Sequence, residues 1–115
     1  MALHLDSRTG KNYLLNLSGW FLSLQQVDWE SNHGKTQEAK LRITRLSARY
    51  DKIFKNCRGI DAVKYRFPDY DISESVNVAR NLLQKVSEGI KISQNEWNRV
   101  VEKTIKPLQN LFLAY

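Results

Sequence analysis

Apolar residues recur at intervals of three and four along most of the chain, and this spacing constrains the fold more than any other feature. In the clearest run the interval alternates between four and three, through Ala39, Ile43, Leu46, Tyr50, Ile53 and Cys57. Side chains at this spacing share one face of an α-helix. The pattern predicts a helix from about Thr36 to Asn56, with Thr36 as N-cap, Gly59 as C-terminal stop and a buried thiol at Cys57.

The same spacing predicts three further helices. The first covers residues 10 to 27, and its buried face comprises Tyr13, Leu14, Leu17, Trp20, Phe21, Leu24 and Val27. Capping boxes, in which a side chain accepts from a free amide of the first turn, open the other two; they consist of Asp71 with Glu74 and of Ser93 with Glu96. The third helix ends at Gly89, and Pro107 predicts a kink or fresh start in the fourth.

The segments between these helices predict turns and loops. Residues 28 to 34 are polar apart from Trp29 and end in a turn-forming Asn-His-Gly, so we expect a turn. In residues 59 to 71, apolar and charged side chains alternate as in a strand, but no second strand could pair with it. We therefore expect an ordered loop after at most one helical turn. The sequence predicts one all-α domain, residues 1 to 115, folded as a small bundle of four to five helices.

Basic residues are concentrated in one segment. The chain has a net charge of +6, and residues 35 to 58 contain eight Lys or Arg against two acids, which accounts for all of it. Four of the eight are spaced by three, four and three and form a single predicted line, the basic stripe: Arg42, Arg45, Arg49 and Lys52. Their separation of roughly one helical turn, about 5 Å, matches the phosphate spacing of a nucleic-acid strand. The stripe indicates a polyanionic partner.

Neighbouring acidic residues can pair with some cations of the basic segment but not with others. Glu38 can pair with Arg42 and Asp51 with Lys55, whereas Arg45, Arg49 and Lys52 have no acid at helical spacing. Beyond the stripe, three more cations are candidate nucleic-acid contacts: Lys55, Lys64 and Arg66. The last two alternate with Tyr65 and Phe67, aromatic residues that could stack on bases. We favour the simpler interpretation that these two rings close one end of the bundle.

Residues suited to catalysis or metal binding are sparse. A zinc site would need His4, His33 and Cys57 to converge, so surface histidines are the simpler interpretation. The acidic pairs Asp28/Glu30 and Asp69/Asp71 suit turns and caps better than a metal. No glycine-rich phosphate loop occurs. We expect a protein that is not an enzyme and has no metal or cofactor.

Other features bear on the compartment and on exposed anchors. The longest apolar stretch, residues 13 to 24, is too short to span a bilayer, and the N-terminus lacks the features of a signal peptide. One cysteine excludes an internal disulfide, which fits the cytoplasm.

Among the three tryptophans, Trp29 in its polar segment is the one expected to face a partner. The same is expected of the apolar C-terminal residues Leu111, Phe112, Leu113 and Tyr115.

A short, basic, all-helical chain with one charged helix and no catalytic set resembles the small subunits of type I CRISPR effector complexes, including the type I-D kind. The resemblance lies in size, helix order and the basic stripe. It implies a part in antiviral defence within a Cascade-like ribonucleoprotein. In such complexes several copies contact the guide-target hybrid or the displaced strand without reading sequence. Nucleic acid, other subunits and further copies of this chain are then the expected partners, and no membrane is involved.

Two other classes of function fit the same residues. The first is a protein-interaction bundle whose basic helix binds an acidic partner, or an accessory bundle like those that assist reverse transcriptases in diversity-generating retroelements. The second is a small nuclease or toxin with an unrecognised site.

Overall fold

The computed structural model describes residues 7–115, with side chains from residue 8 onward. It is 81% helical, and the described part of the chain contains no strand, which confirms the predicted all-α bundle. The elements are α1 (Ser7–Asn32), α2 (Thr36–Ala48), α3 (Tyr50–Ile53), α4 (Cys57–Arg66), α5 (Ile72–Ser87), α6 (Gln94–Val100), a π-helical turn (Val101–Ile105) and α7 (Lys106–Leu113). Only Arg49 separates α2 from α3, and α6 continues through the π turn into α7. The described residues therefore form five helical units.

Helix α1 is the axis of the bundle. It packs against α2, α4 and α7, with smaller contacts to α3 and α5. All seven apolar residues predicted for its inner face are buried, each at most 1% exposed. At about 39 Å for 26 residues, α1 runs along most of a body whose longest dimension is 53 Å. None of the described helices combines the length and apolar content needed to cross a membrane.

The predicted turn at residues 28 to 34 is wrong for its first five residues, because α1 continues through Asn32. The last turn of α1 is stabilised by distant partners. Buried Asp28 accepts a 2.8 Å hydrogen bond from the indole Nε1 of Trp97, and buried Glu30 pairs with Arg42. The chain turns only after Asn32, where Gly34 adopts a φ of 77°.

The predicted second helix divides at Arg49. Two side chains of α1 bind carbonyl oxygens of α2 and α3: the Trp20 indole donates to Leu46, at 3.3 Å, and the Tyr13 hydroxyl donates to Ile53. The Ile53 carbonyl is therefore bonded to α1 rather than to the Cys57 amide, which donates to Lys55 instead. At the other end of α2, Lys35 rather than Thr36 occupies the N-cap position, and its side chain makes no capping bond.

Helix α4 replaces the predicted loop. The Asn56 side chain caps it by accepting from the Gly59 amide at 2.9 Å. Gly59 is thus inside a helix and does not end one. Its lack of a side chain lets α4 approach α1, since a Cβ there would lie 2.6 Å from Cδ1 of Tyr13. The prediction of a buried Cys57 is also wrong: the thiol lies in the first turn of α4 and is exposed.

The second half of the chain follows the sequence pattern more closely. Asp71 accepts from the Glu74 amide and Ser93 from the Glu96 amide, each at 3.1 Å, which confirms both predicted caps. The interruption predicted at Pro107 takes the form of the π turn, in which the Lys106 amide donates to the Val101 carbonyl. Because proline has no amide to donate, this change in hydrogen-bond register falls just before it.

Candidate nucleic-acid interface

The basic segment follows the length of α1. Contacts place Arg42 beside Glu30, Leu46 beside Trp20 and Ile53 beside Tyr13, so α2 and α3 run antiparallel to α1. Helix α4 then continues toward Gly10, where Ala62 and Tyr115 approach α1. From Glu30 to Gly10, α1 rises about 30 Å. The cations of α2, α3 and α4 are thus distributed along this length.

Arg42 has a structural partner. Its Nε lies 2.7 Å from Oε1 of Glu30, whose side chain is only 5% exposed, whereas the arginine side chain is 47% exposed. The contact is an ion pair without a well-directed hydrogen bond, because the same oxygen has no hydrogen-bond partner. The pairing predicted with Glu38 is therefore replaced by one across two helices. Arg42 stabilises a buried carboxylate and is only partly available to a ligand.

The other three residues of the basic stripe are exposed. Arg45 lies in the last turn of α2, Arg49 at the break between the helices, and Lys52 in α3. Within residues 8–115 no carboxylate forms an ion pair with any of the three. Their positive charge is therefore not compensated by an ion pair and is exposed to solvent. Such a surface can bind phosphates with little desolvation of the cations.

Lys55 has neighbours of its own. It lies 3.9 Å from Asp51, as the sequence predicted, and its Nζ is 5.5 Å from the ring centroid of Tyr50. Both side chains of the ion pair are mostly exposed, so the pair contributes little to stability and leaves Lys55 free to exchange partners.

Lys64 and Arg66 lie at the far end of α4. Arg66 is stacked over Tyr115, with Cζ 5.5 Å from the ring centroid, and burial raises the pKa of that phenol while Arg66 opposes the rise. Phe67 meets the same ring edge-on, so it closes the bundle end as predicted. Tyr65 does not, because it is 78% exposed. The cation at Arg66 is about 30 Å along α1 from Arg42, and the two belong to opposite ends of the surface.

The aromatic residues divide as the sequence suggested. Trp20 and Trp97 are buried, while Trp29 is 46% exposed at the end of α1. Its ring stacks on His33 at 4.2 Å, and Lys35 lies 5.5 Å from the ring centroid. Of the apolar C-terminal residues, Leu113 is exposed, and the other three pack partly against the core.

Of the candidate zinc ligands, His33 lies just after the end of α1 and Cys57 in the first turn of α4. His4 lies outside the described residues. The His33 ring is bonded through Nδ1 to the Trp29 carbonyl at 2.7 Å. In residues 8–115 no group of three or more His, Cys, Asp or Glu side chains is arranged to hold a metal ion. Asp28 and Asp71 instead accept the hydrogen bonds from Trp97 and from the Glu74 amide.

Sequence reasoning missed the ion pair of Glu30 with Arg42 and the contact of Lys35 with Trp29. Neither has a local signal, because the first depends on the crossing of α1 and α2 and the second on the turn between them.

The sequence was also compared with family models, curated proteins and solved structures, and none of the three comparisons found a match.

Proposed function

We propose that this chain is a non-catalytic nucleic-acid-binding subunit of a larger ribonucleoprotein. The single observation that carries the proposal is the set of exposed cations at Arg45, Arg49 and Lys52, which lack a carboxylate partner among the described residues. These three contact backbone phosphates. Lys55 and the more distant Lys64 and Arg66 extend the contact along the strand.

Backbone contacts of this kind do not read sequence. Few phosphates are neutralised by one copy, and nonspecific binding of this kind has a Kd of about 10⁻⁴ to 10⁻⁶ M at physiological salt. A scaffold or several copies on one strand would raise the effective concentration. These features, with the helical fold, are compatible with a small subunit of a Cascade-like CRISPR complex, which would act in the cytoplasm on the guide-target hybrid or the displaced strand.

The test compares two variants of equal charge. One changes Arg45, Arg49 and Lys52 to Ala; Arg42 is kept because its loss would strip Glu30 of its partner. The control changes three exposed cations outside the basic segment, Lys91, Arg99 and Lys103, to Ala. Each variant removes three positive charges from the net +6. Binding to mixed-sequence single-stranded RNA and DNA is followed by fluorescence anisotropy over a salt series.

We expect the first variant to lose most of its affinity and its salt slope to fall by about 2, at roughly 0.7 for each lost phosphate contact. The control should keep most of its binding. Equal losses in the two variants would mean that net charge alone attracts the nucleic acid, and no loss in either would refute the assignment. Binding to an acidic protein but not to RNA or DNA would favour the protein-interaction bundle instead.

A further inference from the structure

Helix α1 carries a line of large apolar side chains on its outer face. Leu15, Leu22 and Trp29 are spaced by seven residues and are 52%, 45% and 46% exposed. Seven residues make almost two helical turns, so the three side chains lie in one row, the apolar ridge, about 21 Å long. This row lies outside the buried face that packs against α2, α4 and α7.

The middle of the apolar ridge is free of charge, whereas Lys11 lies one helical turn before Leu15 and Lys35 lies 5.5 Å from the Trp29 ring centroid. Residues 12 to 27 include no Lys, Arg, Asp or Glu, although charged residues make up 26% of the chain. The outer face of an amphipathic helix in water normally carries charged or polar side chains rather than large apolar ones. Here the positions beside the ridge are small or amide-bearing, such as Gly19 and Gln26. The three exposed apolar side chains therefore depart from the usual pattern of a solvated helix face.

This face has one surface depression and one position that lacks a side chain. A shallow depression between Leu22 and Trp29 is lined also by Gln25 and Gln26. At Gly19, a Cβ would meet no atom within 4 Å, so the backbone is open to close approach from outside. Gly19, Leu22, Gln26 and Trp29 are separated by intervals of three and four and therefore share one face.

We propose that the apolar ridge is the contact of a symmetric dimer in which α1 of one copy packs antiparallel on α1 of a second copy. A two-fold axis midway between Gly19 and Trp29 would bring the indole of each copy over the glycine of the other. The same axis seats Leu22 against Gln26 of the second copy, in the depression. A parallel arrangement would instead oppose two tryptophans and leave a gap at the two glycines.

The lack of charge along residues 12 to 27 favours a second copy over an acidic partner as the occupant. A chain of net charge +6 repels its own copies over most of its surface, but not over the uncharged residues 12 to 27. An acidic partner would instead be attracted to the basic segment on α2 and α3. The contact area of a single helix pair is smaller than the area of about 800 Å² per partner that a standard interface buries. We therefore expect weak dimerisation, with a dissociation constant in the micromolar range or higher.

Sedimentation velocity without nucleic acid, over a range of protein concentrations, tests the proposal independently of the proposed function. Leu22→Glu places a charge in the depression, and Leu41→Glu is the matched control, since Leu41 is a leucine of α2 that is 61% exposed. We expect the first change to weaken dimerisation by about tenfold or more and the second to leave it unchanged. Glutamate is a good helix former, and circular dichroism verifies folding.

Cross-linking tests the orientation in a Cys57→Ser background, because the native thiol is exposed. With diamide as the oxidant, a mixture of Gly19→Cys and Trp29→Cys chains should form a disulfide-linked pair. Neither variant alone should, because like positions lie about 15 Å apart along the antiparallel helices. A protein that stays monomeric at every concentration would overturn the proposal. So would a dimer that is insensitive to Leu22→Glu, or one in which Gly19→Cys links to itself.

Discussion

Replacing Arg42 by alanine should destabilise the protein, although the arginine lies on a surface proposed to bind nucleic acid. Glu30 is only 4% exposed, and its Oε1 lies 2.7 Å from the Arg42 Nε. Without the guanidinium, the buried carboxylate has no cation to offset its lost hydration. The loss of stability arises because Glu30 remains buried without a partner, and not because the contacts of Arg42 are removed.

The magnitude follows from the different exposure of the two side chains. Removing one partner of a fully buried ion pair costs about 3–5 kcal/mol. Because the Arg42 side chain is 47% exposed, water can reach part of the space it leaves, and we expect the loss to be smaller, about 2 kcal/mol. Glu30→Gln removes the buried charge and leaves a cation that water already reaches. That change should cost less, about 1 kcal/mol or below.

Urea unfolding followed by circular dichroism measures both changes and their combination. The double variant should be more stable than Arg42→Ala alone, because it has no buried charge to leave unpaired. The structural reasoning would be refuted if Arg42→Ala cost less than about 0.5 kcal/mol, the usual effect of a surface substitution, or if Glu30→Gln failed to restore stability in the Arg42→Ala background. Nucleic-acid binding by the double variant then reports any direct contact of Arg42, separated from folding.

Two further substitutions test how α1 packs on its neighbours. Gly59→Ala places a methyl group 2.6 Å from Cδ1 of buried Tyr13, and overpacking should cost about 1–3 kcal/mol, less the gain in helix propensity; a more stable variant in urea unfolding would contradict the close approach. Tyr13→Phe removes the donor to the Ile53 carbonyl and should cost about 1–2 kcal/mol at neutral pH. Burial raises the pKa of Tyr13 above its ordinary value of 10.0, so the unfolded chain releases this proton first and wild-type stability falls as pH rises above that value. The free energy of unfolding of Tyr13→Phe, measured in urea at alkaline pH, should therefore fall less steeply with pH than that of the wild type. Equal slopes for the two proteins would contradict the buried phenol.

Local patterns in the sequence determined much of the helical framework. The three-four spacing of apolar residues identified the buried face of α1, and the side chains of Asp71 and Ser93 set the starts of α5 and α6. Pro107 marked the place where α-helical hydrogen bonding is interrupted. These features depend on residues within one or two turns of each other, so the chain itself carries the information. The concentration of cations in residues 35 to 58 is equally a property of the sequence alone.

Only the tertiary structure decided where α1 ends, where the second predicted helix breaks and that α4 exists. The local sequence around the polar residues Asp28 and Glu30 predicts a turn, but Trp97 donates a hydrogen bond to Asp28, and Arg42 forms an ion pair with Glu30, from other helices. Gly59, locally a helix stop, lies inside α4 where Tyr13 leaves no room for a side chain. In each case a buried polar group or a close approach is stabilised by a residue distant in sequence, and that stabilisation outweighs the weak preferences of the local segment.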